Sequence, residues 1–282
     1  NINGVRMSNN LSFNINLIVA HKLEATPLIR HFKLRALTQR PYQVFTNGQG
    51  LRLIISGMGV RNTVSAVKYI SEYQSCEPYL KEGWVNAGIA GHKTADLGIC
   101  FLANKILHQE TGEVYYPSLH MGIKSTEMLI TVDKPERSYA QEAAYDMEAA
   151  GFFKSAAECS EIELISTVKV VSDNESNSID AITEGLINDL MLETIDFLES
   201  VIDEFKERLN TLNRILILEQ DCMDLTRNLH FSVSQHHQFR KYCQRYHALG
   251  KEDELDAILR IKQNSARVLL HKLSDALVIQ AH

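Results

Sequence analysis

Residues 166–176 read STVKVVSDNES and residues 145–153 read YDMEAAGFF. The first is a β-branched run, the composition of a buried strand, and it ends on Asp173. In the second, Glu148 stands between Met147 and two alanines. An exposed acid needs no explanation, whereas a carboxylate set among apolar residues does.

Outward from this pair, short β-branched runs predict strands over 14–20, 42–46, 51–56, 84–89, 101–107, 128–132 and 164–171. Helical patterns between them cover 23–32, 62–73 and 147–159. Strand and helix in alternation imply an α/β sandwich around a largely parallel or mixed sheet, with ligands at the carboxyl ends of its strands. From residue 179 the pattern is helical only, over 179–209, 212–229, 234–249 and 252–279. The division expected is an α/β body at 13–200 and an all-α extension at 201–282. In the extension, Ser232 or Ser234 can cap a helix that Gly250 ends, and Phe239, Tyr242, Cys243 and Tyr246 form its apolar stripe. No repeat of 20 to 50 residues recurs, which argues against a solenoid.

A chain of 282 residues that is 45% hydrophobic can bury a large core. No apolar run approaches the roughly 18 residues of a membrane span, and 15–20 is too short for a signal-peptide core. A cytoplasmic protein is expected. Five widely spaced cysteines, Cys76, Cys100, Cys159, Cys222 and Cys243, support neither a disulfide framework nor a zinc site and read as reduced thiols, mostly buried. The net charge of −6 gives nucleic acid nothing to bind. Residues 1–10, which include Met7, are polar and unpatterned.

Each candidate residue carries two readings. Asp173 is aimed at the ligand end of the sheet, where desolvation raises a carboxyl pKa, but Ser-Asp-Asn is also the chemistry of a cap or Asx-turn. Glu148 can accept from a sugar diol, or it or Asp146 can serve the helix dipole. Glu24, in AHKLE just after the first strand, falls at the same sheet edge or is a solvated first-turn glutamate. The glycines of ISGMG and NAGIAG let backbone N–H groups approach a ligand or allow tight turns. Arg61 can bind an anion or form a surface ion pair. Neither a Walker nor a Rossmann fingerprint occurs, and His236 and His237 lack metal-ligand spacing.

Taken in order, MEAA (147–150), VVSD (170–173), NAGIAG (86–91), ISGMG (55–59) and AHKLE (20–24) resemble the nucleoside phosphorylase superfamily, particularly its methylthioadenosine and adenosylhomocysteine nucleosidases. The resemblance covers about residues 14–198 and implies a three-layer α/β/α sandwich with a mixed central sheet. It implies that Asp173 donates to N7 of a purine, that Ser172 orients it, and that Glu148 holds the ribose hydroxyls with Met147 packed on the sugar. Glu24 would position the attacking water, with Gly88, Ile89 and Ala90 also at the substrate and no metal or organic cofactor. Proton donation to the leaving base and negative charge near an oxocarbenium-like sugar both lower the barrier.

The departures from the family sharpen the expectation. Ile89 replaces a Ser or Thr, Lys169 replaces an arginine, and no phosphate-binding arginine stands near Glu24. The base-contacting loop, around 133–135, is altered, and no phenylalanine follows Asp173 to close over substrate. Hydrolysis of a purine nucleoside or nucleoside-like metabolite is therefore expected. The alternatives are a phosphorylase with phosphate as co-substrate, or a nucleoside-binding regulatory module whose helical tail engages a partner. The tail also suits a homodimer or higher homo-oligomer.

Overall fold

The structure, a computed structural model, describes residues 13–73, 79–120, 122–123 and 125–278. Residues 1–12, Cys76 and Ile279 lie outside them. The chain divides into two compact units, at 12–209 and 210–282.

The first unit opens with β1 (Asn14–Val19), α1 (Lys22–His31), β2 (Arg35–Thr38), β3 (Gln43–Thr46), β4 (Leu51–Ile55) and α2 (Val60–Glu72). It continues through β5 (Glu82–His92), β6 (Cys100–His108), β7 (Val114–Tyr115), β8 (Thr126–Thr131), β9 (Ala144–Asp146) and α3 (Ala149–Ala156). Strand β10 (Ile165–Asp173) and helices α4 (Glu184–Glu193) and α5 (Ile195–Leu225) follow. The strands form one mixed sheet in the order β10-β6-β8-β9-β5-β1-β4-β3-β2, with β7 on β6. Because β10 also pairs with β5, strands β5, β10, β6, β8 and β9 close into a ring. Three strands escape the sequence reading: β2 is a largely exposed edge, and β7 and β9 are too short to show a period.

The period-two alternation of the strands makes the layers. In β1, Ile15, Leu17 and Val19 face a core shared with α1, α4 and α5, while Ile18 faces a second core shared with α2 and α3. Strand β10 does the same with Val168 and Val170 against Ile165 and Val171. The result is a three-layer α/β/α sandwich. Helix α5 contributes Val201, Ile202, Phe205 and Leu209 to the first core.

The second unit contains α6 (Val233–Ala248), α7 (Glu252–Arg260) and α8 (Ala266–Val278). Its core includes Cys222, Phe239, Cys243, Tyr246, Leu255, Leu269 and Leu273. Ser232 makes a capping box with Gln235, and Gly250 takes a positive φ after α6. The helices divide differently from the periodic pattern: the stretch 179–209 is a 3-10 turn at Ile179–Ala181, then α4, then the start of α5 after a break at Thr194. Residues 209–212 contain no proline or glycine, so α5 runs through them, whereas 261–265 interrupt the pattern and separate α7 from α8. Of the four described cysteines, Cys222 and Cys243 are buried and Cys159 is exposed; none is in a disulfide. Among the described residues no helix is long and apolar enough to cross a membrane.

Candidate functional site

The strand ends converge on one cavity of about 310 Å³ in the first unit. Ala20 and His21 follow β1, Ile89, Ala90 and Gly91 belong to β5, Val132 follows β8, Tyr145 and Asp146 end β9, and Ser172 and Asp173 end β10. Met147 and Glu148 enter from the turn into α3, Ile179 and Ile182 from the segment leading into α4, and Ile187 from α4 itself. The lining is mainly apolar, with the carboxylates at few, fixed positions, as ligand sites commonly are.

Glu24 is buried at the first turn of α1, and both of its oxygens accept from the backbone. Oε2 accepts from His21 N at 2.8 Å, closing a capping box, and Oε1 accepts from Ile89 N at 3.0 Å. Gly88 makes that approach possible, since a Cβ there would lie 2.6 Å from Glu24 Oε1. Burial pushes the Glu24 carboxyl up, against the lowering effects of the Ile89 N–H, the Lys169 charge and the His21 N–H.

Lys169 lies within the fully buried β10, and its Nζ is 2.9 Å from Asp146 Oδ2. Burial opposes its charge, but Asp146, Glu148 and Glu24 outweigh burial and hold the ammonium above its ordinary pKa. Asp146 is a framework residue: Oδ1 accepts from Thr131 Oγ1 at 2.8 Å, and Oδ2 accepts from Ala149 N at 2.9 Å, in the first turn of α3. The helix-start role left open between Asp146 and Glu148 thus belongs to Asp146. Glu148 accepts at Oε1 from Gly59 N at 2.7 Å, and its other oxygen has no protein partner among the described residues. Burial lifts its carboxyl to about 7, with help from the Asp146 and Glu24 charges and against Lys169 and the Gly59 N–H.

Asp173 is held by hydroxyls. Ser172 Oγ donates to Oδ1 at 2.5 Å, and the Tyr139 hydroxyl donates to Oδ2. Tyr139 is buried, has φ of 42°, and packs edge-on against Tyr145. Its phenol is pushed far above the usual range by burial first and then by the Asp173 bond and charge. Gly91 leaves room for the pair, because a Cβ there would lie 2.7 Å from Asp173 Oδ2 and 2.9 Å from Tyr139 Cε1. The Asx-turn read for Asp173 is made by its neighbour: Asn174 Oδ1 accepts from Ser176 N and Asn177 N.

The cavity therefore gathers Glu24, Ile89, Ala90, Met147, Glu148, Ser172 and Asp173. Gly88 is not among its lining residues and sits instead beneath Glu24. Arg61 is exposed on α2 and does not line the cavity. Sequence reasoning missed Tyr139 and the structural weight of Lys169. A lysine inside a β-branched strand signals a buried counter-charge. Tyr139 had no such signal, since only the loop conformation brings it to Asp173.

No family model and no curated protein sequence matches the chain. Solved structures do. The 5′-methylthioadenosine/S-adenosylhomocysteine nucleosidase of S. pneumoniae aligns at 15% identity and TM-score 0.54, covering 67% of this chain and 98% of that one. The futalosine hydrolase of Helicobacter pylori aligns at 12% identity and TM-score 0.56, covering 69% and 99%. The Arabidopsis thaliana 5′-methylthioadenosine nucleosidase aligns at 16% identity and TM-score 0.55, covering 69% and 96%. The chain shares the fold of these nucleosidases and of the futalosine hydrolase. At these identities the likeness speaks for the fold alone.

Proposed function

We propose that the cavity cleaves the N-glycosidic bond of a purine nucleoside or nucleoside-like metabolite, with water as nucleophile. The observation that carries this is the meeting of Glu24, Glu148 and Asp173 in one cavity, the three acids needed at the water, the sugar and the leaving base. Glu24, fixed by two backbone N–H groups and lifted by burial, orients the water and takes its proton. The unpartnered oxygen of Glu148 accepts from the ribose hydroxyls, and Met147 packs on the sugar. Asp173, oriented by Ser172, supplies the proton or hydrogen bond that makes the purine a better leaving group, a contribution of roughly 10²- to 10⁴-fold. Water is favoured over phosphate because the cavity lining among the described residues includes no lysine or arginine, and the nearby Lys169 is committed to Asp146. A phosphate dianion beside these carboxylates would be repelled.

The test is incubation with purine nucleosides with and without phosphate, following free ribose against ribose 1-phosphate. Free ribose formed without phosphate is expected; turnover only with phosphate would show a phosphorylase. A second reading, a module that holds a nucleoside without cleaving it, is favoured by the Tyr139 hydroxyl, which already occupies Asp173 Oδ2. Nucleoside binding with no base release under any of these conditions would establish it in place of the hydrolase.

A further inference from the structure

His108 ends β6 and stands opposite Thr131, the last residue of β8. It is buried, and its two ring nitrogens have different surroundings. Nδ1 is 3.0 Å from Thr111 Oγ1, which is 3.2 Å from Glu113 Oε2. When Thr111 donates its one proton to the Glu113 carboxylate, its oxygen accepts from His108 Nδ1–H, and in that tautomer the ring lone pair is on Nε2. Nε2 is buried and has no hydrogen-bond partner among the described residues.

Two carboxylates adjoin this ring. One nitrogen of His108 and one oxygen each of Glu110 and Asp133 all lie within 4.8 Å of one another. Two exposed acids alone would be ordinary solvated surface; a buried imidazole lone pair without a donor is what calls for a ligand. We propose that His108, Glu110 and Asp133 form a binding site for a divalent cation of the zinc class. One imidazole nitrogen and two carboxylate oxygens suit such an ion and leave a fourth position for water. Metal–donor distances of about 2.0–2.2 Å need only a small closure of the two exposed acids. The Thr111–Glu113 chain on Nδ1 is the outer support that metal-bound histidines use to hold ring orientation. The bound ion braces the turn after β6 to residues 132–135, of which Val132 and Pro135 line the cavity. The site is independent of the proposed hydrolysis.

The experiment uses the whole chain, stripped with a chelator, titrated with Co²⁺ under visible absorption and then with Zn²⁺ as competitor. One equivalent of Co²⁺ displaced by Zn²⁺ is expected. His108→Ala should abolish stoichiometric uptake, and Asp133→Asn, at an exposed position that does not endanger folding, should weaken it at least about tenfold. Thr111→Val, which touches no ion, should weaken it roughly 10- to 100-fold by freeing the ring. No stoichiometric uptake by the unaltered chain, or uptake unchanged in Asp133→Asn, overturns the site.

Discussion

Two groups of acids line the same cavity and are held by different chemistry. Glu24, Asp146 and Glu148 surround a buried ammonium, Lys169, whereas Asp173 is held by two hydroxyls, from Ser172 and Tyr139. A formal charge acts on every carboxylate around it, so Lys169 couples three residues from three elements. A hydroxyl acts only on the oxygen it touches. The first group should therefore fail as a unit, while the second should lose its members one at a time.

The sharpest way to break the comparison is Lys169→Met. It keeps an unbranched side chain one atom shorter but leaves Asp146 and its neighbours buried without a counter-charge, and should cost roughly 3–5 kcal/mol of stability. Urea unfolding measures it. A variant as stable as the parent would mean that the carboxylates already share protons and that the lysine is not their clamp. Asp173→Asn addresses the other group, and should slow nucleoside cleavage roughly 10²- to 10⁴-fold while the urea midpoint stays close to the parent's. Unchanged turnover would remove Asp173 from the chemistry.

Glu148 gives a pH signature to the lysine-held group. Its folded carboxyl is lifted from 4.5 to about 7, so the folded state holds the proton more tightly than the unfolded chain does. That stabilisation is complete below about 4.5 and is lost as pH rises through about 7. Glu148→Gln, neutral throughout, should match the parent near the acid end and exceed it near pH ~8 by on the order of 3 kcal/mol. Equal differences at both pH values would show that burial does not lift the group.

The same contrast explains what the sequence made legible. The sandwich is legible because β1, β4 and β10 carry strong apolar runs rich in β-branched residues, and Glu24, Glu148 and Asp173 because they sit near the ends of strands and helices. The short β9 was not, since three residues show no period, although it carries Asp146 to the lysine. The long α5 runs through Asn210 and Thr211, which weaken its apolar period without breaking the helix. Tyr139 is the extreme case: its place depends on its own positive φ, in a loop, and on the missing side chain of Gly91 far away in sequence, and neither shows in the residues around the tyrosine.

Tyr139→Phe is the smallest of the expected effects and decides how the two groups differ. It removes one donor from Asp173 Oδ2 while the ring keeps its packing on Tyr145. A buried acceptor that loses its partner costs about 1–3 kcal/mol, but Asp173 lines the cavity, where water can replace the phenol. The loss should therefore fall near the low end, about 1 kcal/mol by urea unfolding. A loss as large as that of Lys169→Met would mean that Tyr139 and Asp173 form a rigid structural pair, and that the hydroxyl-held group is no more separable than the lysine-held one. A small loss leaves Asp173 free to exchange the phenol for a ligand, as an acid that must reach a leaving base requires.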